Sequence, residues 1–209
     1  MILPILLLFA PLTVWANTET CMFKIPYYYN IPVDTESQNR PGIAQLNEST
    51  YVIDSHPILD INNYQLSESS LKLPYDYSSK DPRRLLVKLN NYGNDTYDAN
   101  DVINVKLCWP ATSPFSFQLD HHFVLTRELN PEAATNQMDI YVEVIYSADF
   151  YAVKPIEENT VPVILAISKL PNRFVPIPIE LYDYILYAMD LLIFAVTLLP
   201  IAQRYIRSI

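Results

Sequence analysis

The stretch DIYVEVIY, Asp139–Tyr146, decides the fold class. Ile140, Val142, Val144 and Tyr146 fall on one side of an extended chain, while Asp139 and Glu143 point away. Side chains alternate faces along a strand, so a period of two reads as half-buried β structure. Three further stretches repeat the pattern. RLLVKLN (84–90) sets Leu85, Val87 and Leu89 against Arg84, Lys88 and Asn90. VINVKLCW (102–109) sets Ile103, Val105 and Leu107 against Asn104 and Lys106, and VPVILAISK (161–169) aligns Val161, Val163, Leu165 and Ile167. CMFKIPYYYN (21–30) and FSFQLDHHFVL (115–125) are weaker strand candidates.

The connecting segments are polar and marked by proline, as in YDYSSKDPRR and LNPEAATNQ. Several strands punctuated in this way predict a mainly β domain, a two-layer sandwich. Residues 34–82 read as its least regular part. The chain has 17 Pro among 209 residues and only 2 Gly. Proline interrupts helices, so long soluble helices are disfavoured. Scarce glycine argues against phosphate-cradling loops, where backbone must approach the ligand closely. Residues 17–179 carry 12 Lys or Arg and 20 Asp or Glu, a net charge of −8. Nucleic acid rewards a basic face, so it is not an expected partner.

Both ends are apolar. MILPILLLFAPLTVWA (1–16) carries small residues at the third and first positions before a cut after Ala16, and reads as a cleaved signal peptide. Leu181–Gln203 is 23 residues long, about 34 Å as a helix, which spans a bilayer core. Arg204 and Arg207 follow it, and Glu180 and Asp183 precede it. Positive charge marks the cytosolic side, so residues 17–179 are expected in the lumen and 204–209 in the cytosol. LPNRFVPIPIE (170–180) reads as a stiff proline-rich neck between the two. A glycolipid-attachment signal fits poorly, because no small-residue triplet precedes the apolar run and the chain ends in RYIRSI.

A lumenal domain meets glycosylation and oxidation. Asn47-Glu48-Ser49 and Asn94-Asp95-Thr96 are N-glycan sequons in polar surroundings. Cys21 and Cys108 are the two cysteines. The lumen permits a bridge between them, worth about 4 kcal/mol by loop-closure entropy. Two free buried thiols are the alternative.

Catalytic sets are missing. There is no G-x-S-x-G, no Walker loop, no C-x-x-C and no D-x-D. Asp95, Asp98 and Asp101 are three apart in NDTYDAND, which reads as a solvated loop. His121 and His122 are adjacent, so a strand turns them to opposite faces, one packed and one at the surface. No metal or cofactor is expected. Tyr27, Tyr28 and Tyr29 read equally well as a contact surface or as strand packing.

The sharpest feature is Asp190 inside LYAMDLLIFAVTLLP (186–200). A carboxylate near mid-bilayer costs about 2.5–3.5 kcal/mol on insertion scales. Seven residues advance a helix to within ~20° of two full turns. Asp183, Tyr187, Asp190 and Thr197 therefore form one polar stripe, opposite Leu192, Val196 and Leu199. A lone helix cannot satisfy such a stripe in lipid, so a second membrane protein carrying donors is expected.

The mature start NTETCMFKIPYYYNIP (17–32), the segment VKLCWPATSPFSF (105–117) and the acid-bearing last span resemble one known group. They are similar to the small single-span subunit of yeast glycosylphosphatidylinositol (GPI) mannosyltransferase II, the Pga family. The resemblance implies residence in the endoplasmic reticulum membrane and no chemistry by this chain itself. It also implies binding to a polytopic mannosyltransferase that adds the second mannose to the GPI precursor. The motifs carry no catalytic residue. The competing readings are a β-rich subunit of GPI mannosyltransferase I, a lumenal chaperone or cargo adaptor, and a membrane-anchored lumenal enzyme.

Overall fold

The computed structural model describes residues 16–26, 43–53, 56, 58–59, 69–89, 100–129, 131–132, 138–150, 159–172 and 174–207. Asn94, the three consecutive tyrosines and the expected signal peptide up to Trp15 lie outside them. Among these described residues ten strands stack as two sheets. Sheet 1 holds β1 (Ala16–Lys24), β7 (Val102–Pro110) and β10 (Thr160–Lys169) side by side, with β4 (Ile58–Leu59) and β5 (Ser70–Pro74) sharing the far edge of β10. Sheet 2 runs β2 (Ala44–Gln45), β3 (Thr50–Ile53), β6 (Arg83–Lys88), β9 (Met138–Ala148), β8 (Phe115–Leu125).

The period-two residues make the interior. Ile103, Val105 and Leu107 of β7 and Val161, Val163, Leu165 and Ile167 of β10 face Leu85 and Val87 of β6 and Ile140, Val142, Val144 and Tyr146 of β9. All are buried. Each large aliphatic side chain so buried is worth about 1.5–3 kcal/mol.

Residues 34–82, the part read as least regular, hold β2 to β5. These strands are short, at 2, 4, 2 and 5 residues, too short to show a period. They also explain an unusual pairing. β3 lies parallel to β6 in sheet 2, and parallel neighbours need a crossover. Here the chain leaves sheet 2 after β3, adds β4 and β5 to sheet 1, and returns as β6.

Two tyrosines tie the layers together. The Tyr146 hydroxyl of sheet 2 donates to the Pro74 carbonyl of sheet 1 at 2.7 Å, and the Ala148 N–H donates to the Tyr75 hydroxyl at 3.0 Å. Tyr75 packs edge-on against Phe115 and Tyr77, so this end of the sandwich is aromatic. Burial pushes the Tyr146 phenol well above its ordinary pKa.

Two expectations need correction, and one that holds has a further consequence. Asp139 and Glu143 do point away from the interior, yet both are buried. Lys88 pairs with Asp139 at 2.8 Å, and Glu143 is held between Arg84 and His122. Val52, Leu86 and Tyr141 form a small second cluster on that outer face, with Val124 and Leu129 packed against it. Asp101 is not part of a solvated loop, because it is buried and pairs with Lys169 at 2.8 Å. Its carbonyl accepts from the Ile25 N–H, which ties β1 to the start of β7.

The second correction concerns the cysteines, which are both free. On adjacent strands Cys21 lies opposite Val105, whereas Cys108 lies opposite Thr18. Three residues of strand separate them, about 10 Å, and the odd offset turns them to opposite faces. A disulfide needs Cα atoms within about 7 Å. Maleimide should therefore label two thiols in the native chain before reduction, as read by intact mass. Burial, with Asp120 and Glu19 adding to it, raises the Cys21 pKa. Less thiolate then forms at pH 8, so Cys21 should react more slowly than a free cysteine in solution. No label before reduction and two labels after it would mean a bridge.

Candidate membrane and partner interface

A neck and one helix leave sheet 1. The Leu170 N–H donates to the Val102 carbonyl, closing the end of β10 onto β7. Asn172 Oδ1 then accepts from the N–H groups of Phe174 (2.8 Å) and Val175 (3.3 Å). A 3-10 turn at Ile179–Leu181 starts after Pro178, and Glu180 meets Lys106 of β7 at 3.6 Å.

The α-helix Tyr182–Arg207 follows; it is α2, α1 being the short turn Thr126–Leu129 after β8. Asp183 in its first turn and Arg204 and Arg207 in its last oppose the helix dipole favourably. The apolar window Ile179–Pro200 has a mean hydropathy of 1.6, and none of it is buried against the domain. Length and composition suit a membrane span. The window's midpoint falls between Met189 and Asp190.

Tyr187 is 61% exposed, and Asp183, Asp190 and Thr197 are exposed as well. Within α2 these four residues project within an arc of about 80° at ~100° per residue. Phe194 shares that arc. Leu192, Val196 and Leu199 occupy the far side. The Thr197 hydroxyl donates to the Phe194 carbonyl at 2.7 Å, so its donor is used inside the helix and only its acceptor is open.

The other singled-out residues fall elsewhere. Asn47 is exposed in the turn between β2 and β3. Its Oδ1 accepts from the Ser49 and Thr50 N–H groups at 3.0 and 2.6 Å, with the Ser49 hydroxyl at 3.3 Å. This Asx-turn holds the side-chain oxygen of Asn47 against the backbone of the sequon. His121 stacks on Phe23 at 4.3 Å across the mouth of the sandwich, and His122 turns outward to Glu143. That is the parity expected of neighbours in a strand. Among the described residues no three His, Cys, Asp or Glu side chains converge as a metal site. The Arg84–Glu143–His122 group was missed by sequence reasoning, because its members come from β6, β9 and β8 and carry no local spacing signal.

Two stacked sheets are followed by one helix long and apolar enough to cross a membrane, which carries Asp183, Tyr187, Asp190 and Thr197 along one side. A family sequence model agrees in kind: the one described as Pga1, GPI-mannosyltransferase II co-activator, matches residues 7–201. The chain belongs to this family of GPI-anchor biosynthesis co-activators. No curated protein and no solved structure matches the chain.

Proposed function

We propose that the chain is a non-catalytic accessory subunit of the endoplasmic reticulum mannosyltransferase that adds the second mannose to the GPI-anchor precursor. Its sandwich lies in the lumen, one helix spans the bilayer, and residues 204–209 lie in the cytosol. Its partner is the polytopic catalytic subunit. Family membership supports the enzyme it serves. The observation that carries the mode of binding is Asp190 at the midpoint of the apolar window Ile179–Pro200, which is not buried among the described residues. A carboxylate so placed is stabilised by donors on a neighbouring helix. Asp183 and Tyr187 extend the same edge toward the lumen, and Thr197 extends it toward the cytosol.

Asp190→Leu should leave membrane insertion intact, since it makes the span more apolar. It should weaken co-purification with the transferase from mild detergent. Intramembrane hydrogen bonds average about 0.6 kcal/mol and reach about 1.7 kcal/mol, so the loss should be roughly three- to twentyfold. Asp190→Asn should do less harm, and Leu192→Ala on the far side least. Undiminished recovery of the transferase with Asp190→Leu would remove the stripe from the interface.

The topology has its own check. Cleavage after Ala16 and lumenal sequons predict N-glycans at Asn47 and Asn94. Endoglycosidase should speed gel migration of the native chain, and Asn47→Gln with Asn94→Gln should abolish that change. A native chain without glycan at either position would count against lumenal exposure of these loops.

A further inference from the structure

We propose that the outer face of sheet 1 lies against the phosphate headgroup layer of the bilayer beside α2. The proposal rests on reading α2 as the membrane span. It adds a second, lateral attachment of the folded domain itself.

The first observation is charge. Outward positions of β1, β5, β7 and β10 carry Lys24, Lys72 and Lys106 and no Asp or Glu; at the centre of the face Asn104, Ala166 and Ser168 are buried, and the open part lies around Met22, Lys24, Lys72 and Ile164. Among the described residues, Glu180 meets Lys106, arriving from the neck. In a chain of net charge −9 this is an unusual face. The outer face of sheet 2 shows the contrast, with Arg84, Lys88, Asp120, Asp139 and Glu143 mixing both signs in ion pairs.

The second observation is apolar exposure on the same face. Met22 is 50% and Ile164 is 42% exposed. Next to Ile164 lies a shallow groove of about 380 Å³, lined among others by Cys108, Pro110 and Pro162. On the neck, Phe174 is 94% exposed. Lysines around apolar side chains suit a headgroup layer, where ammonium groups meet phosphate oxygens and apolar groups reach the acyl boundary.

The third observation is position. The neck leaves the end of β10 at Leu170, beside Val102, and doubles back so that Glu180 reaches Lys106 near the middle of β7. α2 starts two residues later and buries none of its apolar window against the sheets. The helix therefore starts beside the middle of this face, so among the described residues this face of the sandwich meets the root of the span.

The test uses the full chain in phosphatidylcholine nanodiscs containing a nitroxide-headgroup lipid. A fluorophore is placed on Met22→Cys, or on Gln118→Cys of the outer face of sheet 2, in a Cys21→Ser, Cys108→Ser background. Headgroup quenching is expected at position 22, with none above the solvent background at 118. Equal quenching at both positions, or none at 22, overturns the proposal. If that background fails to fold, the unaltered chain is cross-linked to a photoreactive phosphatidylcholine and its peptides are mapped. Adducts at Met22, Ile164 or Phe174 and not on Gln118 support the face, and the reverse pattern overturns it. Alkaline carbonate separates the two readings. Release of the chain from membranes would sink the span and this proposal together. Retention with no lipid contact at position 22 would sink the proposal alone. Lipid contact that disappears when the transferase is bound would assign the face to the transferase and overturn it as well.

Discussion

Cells lacking this chain should accumulate a GPI precursor that carries one mannose. The catalytic polypeptide should still be present. The expectation follows from membership of the mannosyltransferase II co-activator family together with the proposed non-catalytic role. A stabilising or positioning subunit acts by holding its partner in a competent arrangement, so its loss lowers the flux through one step and leaves earlier steps running. Labelled inositol or mannose followed by lipid chromatography reads the result directly. Accumulation of a precursor without mannose would point to the first transferase. Normal precursors would remove the assignment.

The largest stability effect is expected at Tyr146. Its ring is fully buried in the aromatic end of the sandwich, and its hydroxyl crosses to the Pro74 carbonyl of the other sheet. Truncation to Ala should cost about 3–5 kcal/mol, as large aromatic deletions in cores do. Tyr146→Phe keeps the ring and removes only the donor, leaving a carbonyl without this partner, so about 1–3 kcal/mol is expected. Urea unfolding of the full chain in mild detergent, followed by proteolysis, would rank the two. A Phe variant as unstable as the Ala variant would show that the hydrogen bond between layers, and not ring packing, dominates this end.

The strand faces were legible along the chain because burial in a sandwich imposes a period of two. Ile140, Val142, Val144 and Tyr146 are inside for the reason their spacing suggests. The 11 residues FSFQLDHHFVL form β8 from end to end, although their polar residues blurred the pattern. The two-residue strands β2 and β4 left no such trace, since one alternation cannot be told from chance. They exist because a neighbour offers a ladder, which is a property of the partner strand.

By itself the sequence determined that the protein is mainly β, that one apolar helix is long enough to cross a bilayer, and that an acid sits at its centre. Those features depend on local periodicity, length and the cost of charge in lipid. Only the tertiary structure decided where the polar side chains went. Glu143 and Asp139 keep the outward direction that alternation assigns, but Arg84, His122 and Lys88 arrive from neighbouring strands and bury them as pairs. Cys21 and Cys108 end on opposite faces because the register of β1 on β7 is offset by an odd number. Asp101 is drawn inside by Lys169, 68 positions further along the chain. Pairing of this kind depends on register between strands distant in sequence, and no local pattern encodes it.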